Sequence, residues 1–287
     1  MMKKKLIKIL LPVLVFGIFS ACSKLDESIP QAPDISTHNE GILDRESPNW
    51  HGNLVRESSW DLKVCQSCHA ADYSGGITGV SCLTCHTQLA GPEACNTCHG
   101  DFDDPNIIAP PKDVSGNIET DSVGVGAHMV HLFDNSLGMD IPCETCHVVP
   151  QDYFDPGHVD SPLPAEVIFN LLAINNIATN ADYDHSSATC SNVYCHGNWE
   201  FLKDSSDNQF IYDADKIVGN NNPVIWNNVD GSQALCGTCH DIAPVGHSPR
   251  DLSSCGGCHS GIFDSNGSIV DSLRYKHING MINVFGN

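Results

Sequence analysis

Seven times in this chain a pair of cysteines is followed at once by histidine. Six copies are Cys-x-x-Cys-His: Cys65, Cys68 and His69; Cys82, Cys85 and His86; Cys95, Cys98 and His99; Cys143, Cys146 and His147; Cys236, Cys239 and His240; Cys255, Cys258 and His259. The seventh is stretched, with four residues between Cys190 and Cys195 before His196. Two thiols and an imidazole on one short segment can add across the vinyl groups of a porphyrin and reach its iron. Zinc ribbons and thioredoxin-like redox sites also use paired cysteines, but neither requires histidine directly after the second. Disulfides ignore the histidines too. With 15 histidines in 287 residues, accident does not supply seven in seven. The pattern predicts seven covalently bound c-type haems, with the seven motif histidines as proximal iron ligands.

Eight histidines remain: His38, His51, His128, His131, His158, His185, His247 and His277. Seven irons need seven sixth ligands to be closed, and neutral imidazole is the commonest side-chain metal ligand. His185, in a polar loop five residues before Cys190, is the one left out. The other seven are the candidate distal ligands. Met129, Met139 and Met281 compete as axial ligands, but the histidine supply makes them unnecessary. A weak internal echo supports the assignment. Cys143 to His147 is trailed by Pro150 and Gly157-His158, and Cys236 to His240 by Pro244 and Gly246-His247.

The fifteenth cysteine stands apart. Lys3 to Lys5 is a basic start, Leu6 to Ile18 an apolar run, and Ser20-Ala21 precedes Cys22. That order reads as a removed lipoprotein-type signal over 1–21, with lipid added at Cys22. Residues 22–36 read as a flexible tether. The expected location is outside the cytoplasm, lipid-anchored in the periplasm or at the outer membrane or cell surface. A net charge of −21, from 14 basic and 35 acidic residues, argues against nucleic acid as a partner.

Seven haems leave little chain for an ordinary core, so porphyrins are expected to be the main apolar filling. The fold class expected is a multihaem cytochrome c. It has little regular secondary structure, short helices around stacked haems, and a small antiparallel β element within 161–230. Residues 165–169, 209–212 and 223–226 read as its strands, with helix the competing reading for 165–174. Haem spacing divides the chain into a four-haem half over 37–160 and a three-haem half over 161–287, which holds the stretched motif.

Taken together, these residues resemble the CxxxxCH/CxxCH multihaem c-type cytochromes of dissimilatory metal-reducing bacteria. The resemblance is strongest from Cys190 through His196 and Gly197, then Pro223 to Trp226, then Cys236 to His240. Gly126 to Leu132, Pro142 to Pro150 and Gly157-His158 are similar as well. The resemblance implies electron transfer in the cell envelope, in anaerobic or extracellular respiration. The implied partners are other redox proteins of the envelope, an outer-membrane porin–cytochrome complex among them, and the membrane through the lipid anchor. The alternative is a multihaem reductase of a small inorganic acceptor, which would need one open haem iron. The first reading makes the protein an electron carrier and not an enzyme.

Overall fold

The computed structural model describes residues 37–285, apart from 110, 176, 179 and 249–251. The signal, the tether and the lipidation site Cys22 lie outside the described residues. The chain falls into two units, one ending at Glu57 and the other running from Ser58.

In the first unit, turns at Gly41–Asp44 and Asp44–Ser47 lead into helix α1, His51–Glu57. Trp50 packs edge-on against His51, with ring centroids 5.4 Å apart. His51 is further tied back to the turn, its Nδ1–H donating to the Ile42 carbonyl at 3.1 Å.

The second unit is short turns and irregular chain, as the abundance of Gly, Pro, Asn, Asp and Ser leads one to expect. Its α-helices are brief: α2 is Lys63–His69, α3 Asn96–His99, α4 His128–Leu132 and α5 Leu252–Cys258. Single 3₁₀ turns occur at Cys82–Thr84, Cys143–Thr145 and Tyr194–His196. Most of these elements sit on a Cys/His motif. Among the described residues no helix is long and apolar enough to cross a membrane.

Two small antiparallel sheets lie within 161–230. In the first, β1 (Asp182–Asp184) pairs with β2 (Thr189–Ser191), and β2 with β5 (Val224–Ile225). Tyr183 stands opposite Cys190, which stands opposite Val224. In the second, β3 (Glu200–Leu202) pairs with β4 (Lys216–Val218), Phe201 opposite Ile217.

The β1–β2 turn is made by Asp184, whose carboxylate accepts from the Ser186 N–H and from the Ser186 and Ser187 hydroxyls. Those bonds lower its pKa to about 2. His185 rides at the exposed tip of this turn, edge-on to Tyr183 at 4.8 Å.

Of the three expected strands, only 223–226 holds, as β5. Residues 165–169 form no strand because their backbone serves another turn. Ile168 N–H donates to the Cys146 carbonyl at 2.9 Å, and Asn170 N–H to that of Thr145 at 2.9 Å. Residues 165–174 are not the competing helix either; only Leu171–Ala173 makes a 3₁₀ turn. Gln209–Ile211 is likewise a 3₁₀ turn, after which Tyr212 bridges to His247.

The expected division at 160/161 lies inside the second unit. Contacts cross it, as when Trp226 Nε1–H donates to the Val123 carbonyl at 2.8 Å.

The aliphatic core is thin. Among the described residues Val125 and Thr145 are the largest side chains that are fully buried, and many other buried apolar residues are alanines. A fully buried Val or Leu contributes about 1.5–3 kcal/mol, so so small a set supplies little against the ordering of a chain this long. Large apolar side chains near the motifs, among them Val80, Leu83, Val148, Val149 and Ile168, are instead exposed by more than a third of their surface.

Candidate functional site

Three of the Cys-x-x-Cys-His motifs show one local device. The backbone N–H of the motif histidine donates to the carbonyl of the first cysteine, closing one α-type turn: 3.0 Å for His86 and Cys82, 2.9 Å for His147 and Cys143, 2.8 Å for His259 and Cys255. This turn groups two thiols and an imidazole within five residues. The stretched motif reaches a related grouping by another route. Cys190 lies on β2, and Asn192 reverses the chain with φ +56°. Cys195 and His196 then follow on the 3₁₀ turn, anchored by buried Val193 and Tyr194.

All fourteen motif cysteines are free of disulfides. Burial pushes the thiols of Cys98 and Cys146 up to about 11 and those of Cys190 and Cys195 to about 12. Such groups stay neutral and apolar beside whatever packs on them.

Most of these imidazoles are held in one tautomer. Among the motif histidines, Nδ1–H donates to a backbone carbonyl in His69 (Val80, 3.0 Å), His99 (Ile108, 2.6 Å), His147 (Glu166, 2.8 Å), His240 (Asp241, 2.7 Å) and His259 (Asn283, 2.9 Å). The candidate distal histidines of this unit do the same: His128 (Val125, 2.8 Å), His131 (Ala127, 2.8 Å), His158 (Tyr153, 2.8 Å), His247 (Ser248, 2.8 Å) and His277 (Leu137, 2.6 Å). A carbonyl can only accept, so Nδ1 carries the proton and Nε2 keeps its lone pair for a metal. Burial lowers the pKa of His128 and of His196 to about 4, and pushes His99, His131, His259 and His277 down as well. These rings are therefore neutral, the form that binds metal.

The same rings come together in pairs, one motif histidine with one other. Centroids are 6.5 Å apart for His99 and His158, 6.3 Å for His147 and His128, 6.2 Å for His196 and His131, and 6.2 Å for His240 and His277. Two metal–nitrogen bonds of about 2.0 Å and two half-rings of about 1.1 Å add to about 6.2 Å. The donor set and its spacing thus fit an iron held between two imidazoles. Among the described residues no group of three or more His, Cys, Asp and Glu converges as a metal site. Such a pair would supply two imidazole nitrogens to a haem iron.

Space beside the motif histidines is also apolar in part. A cleft of about 440 Å³ is lined by His147, Val148, Val149 and Ile168, and one of about 170 Å³ by Cys85, His86 and Phe102. His185 shows none of these features. It is exposed, and its ring contact is with Tyr183. His38 is exposed in the first unit.

The Gly-His echo has a structural basis. Gly157 and Gly246 both take φ +88°, and each following histidine N–H closes a four-residue turn, onto Asp155 and Pro244. Positive φ at the third turn position calls for glycine.

Sequence reasoning missed the second layer. The carbonyl partners leave no sequence signal, because every residue type has a carbonyl. The flanking aromatics do leave one, being few: Tyr153 on His158, Trp199 on His240, Phe263 on both His259 and His277, and Trp226 on both His128 and His131.

Double-thiol turns carrying an imidazole indicate covalent c-type haems, and their repetition is consistent with a multihaem c-type cytochrome. Residues 189–240 match the family model described as the Geobacter CxxxxCH...CXXCH motif. The matched span holds Cys190, Cys195 and His196 at one end and Cys236, Cys239 and His240 at the other. The chain thus carries that motif, consistent with a multihaem c-type cytochrome, and the motif points to electron transfer. No curated protein and no solved structure matches the chain.

Proposed function

We propose that this protein is a heptahaem electron carrier of the cell envelope, tethered to a membrane through lipid at Cys22. Each of its irons is closed by two histidines. The observation that carries the reading is the set of four histidine pairs at 6.2–6.5 Å. In each, the other ring nitrogen is spent on a carbonyl, His196 excepted. On this basis His158, His128, His131 and His277 are the distal ligands of the haems on His99, His147, His196 and His240.

An iron with both axial positions filled by protein binds no substrate, so it passes electrons. The protein's own contribution is to place and tune the haems. Exposed apolar side chains beside the motifs would find their burial against porphyrin edges. The proposed setting is anaerobic or extracellular respiration. The proposed partners are other redox proteins of the envelope, including a porin–cytochrome complex of the outer membrane.

The test is a spin-state count on the purified holoprotein by electron paramagnetic resonance and visible spectroscopy. Low-spin signal for every haem is expected. A high-spin signal worth one full haem in the resting protein would overturn the carrier reading and favour a reductase with an open iron.

A further inference from the structure

We infer that Trp226 is a positioning residue shared by two haem irons: its indole holds the imidazoles of His128 and His131 and sets the plane of each. The inference rests on the assignment of those two histidines as distal ligands.

His128 and His131 stand three residues apart on α4, so their rings leave the same side of one short helix. The indole meets both. It lies edge-on to His128, with centroids 4.7 Å apart and planes at 87°, and stacks on His131 at 5.7 Å and 25°. Helix α4 has five residues and no side-chain cap, so it is too short to be rigid alone. An external wall is needed to fix two side chains on it.

Trp226 can serve as that wall because it is itself tied down twice. Its backbone N–H donates to the Ala188 carbonyl at 2.7 Å, extending the β2–β5 ladder by one residue. Its Nε1–H donates to the Val123 carbonyl at 2.8 Å, in the segment that leads into α4. Asn227 repeats the tie, donating from Nδ2 to the Asp121 carbonyl at 2.6 Å. Gly126, at φ +46°, gives the indole its room, since a Cβ there would collide with the pyrrole ring. The same sheet carries Cys190 on β2. One rigid piece therefore bears a thioether attachment of the His196 haem and the aromatic wall behind that haem's distal ligand.

The two irons receive contrasting ligand planes. The His128 and His147 rings are 24° from parallel, and the His131 and His196 rings are 71° apart. The angle between axial imidazole planes governs the splitting of the iron d orbitals in the low-spin ferric state. Near-parallel planes give a rhombic resonance, and near-perpendicular planes give one with a large principal g value. Orientation of the ligand by its surroundings is one of the protein's levers on a metal site.

The experiment is electron paramagnetic resonance with a redox titration on full-length holoprotein bearing Trp226→Leu, Trp226→Phe or Gly126→Ala. Trp226→Leu should alter one rhombic and one large-g signal together, two haem equivalents in all, and move two midpoint potentials. Trp226→Phe keeps a ring but loses the Nε1–H bond, and should shift the same two signals by less. Gly126→Ala crowds the indole without replacing it and should perturb that pair too, which keeps the test decisive if the leucine variant yields no holoprotein. Unchanged signals in the phenylalanine and alanine variants, or a change confined to one haem, would overturn the inference. The underlying assignment fails differently. In that case His128→Ala and His131→Ala would each leave every haem low-spin.

Discussion

The imidazole of His277 lies 6.2 Å from that of His240, ring centre to ring centre and 78° from parallel, while its Nδ1–H donates at 2.6 Å to the carbonyl of Leu137. One side chain thus joins the end of the chain to a motif 37 residues before it and to a loop 140 residues before it. Phe263 stands beside this pair and also against His259, so one aromatic ring packs on two imidazoles.

Replacing His277 or His158 with alanine should convert one low-spin haem to high-spin and create one site that binds carbon monoxide on reduction. His185→Ala should change neither property, because His185 sits exposed at the β1–β2 tip against Tyr183. Visible spectra with and without carbon monoxide check all three. New carbon monoxide binding in the His185 variant alone would reverse the assignment.

The two turn glycines should differ in tolerance. Both have φ +88°, so alanine strains either turn, by roughly 1 kcal/mol. At Gly157 nothing lies within 4 Å of the added Cβ, whereas at Gly246 it would strike the Lys216 carbonyl on β4. Gly246→Ala should therefore displace His247 and raise the high-spin fraction, and Gly157→Ala should leave the spectrum close to wild type. Equal spectra for the two variants would count against the turn as the device that presents His247.

Intact mass under denaturing conditions should correspond to seven haems, with all fourteen motif thiols consumed. The stretched motif is the critical one, since Cys190 is on a strand and Cys195 on a separate turn. Cys190→Ala with Cys195→Ala should remove one haem and leave six. A wild-type mass already fitting six, with those two thiols free, would exclude attachment there.

Cys22→Ser should release the protein from membranes without loss of haem. Cys22 belongs to none of the Cys/His motifs, and lipidation is its proposed role. Fractionation followed by haem staining measures both properties. Unaltered membrane retention would assign the anchoring to a protein partner instead.

What the sequence by itself determined is the chemistry of attachment. Two thiols and an imidazole within five residues need only one turn to meet, so spacing alone announces them. The eight further histidines, the brevity of the helices among the described residues and the Gly-His turns were legible for the same reason, being local or compositional. The strands were mostly not. Residues 165–169 have strand-like composition, but their backbone groups are claimed by the Cys143–His147 turn, a competition invisible along the sequence. Only tertiary structure decided which imidazole faces which. His131 meets His196 across 65 residues, and His277 takes its orientation from Leu137. Partners that far apart are brought together by chain closure and packing, and carbonyls that fix a tautomer can belong to any residue type. Trp226 is the plainest case: its composition marks it as apolar filling, and only the fold sets it against two histidines at once.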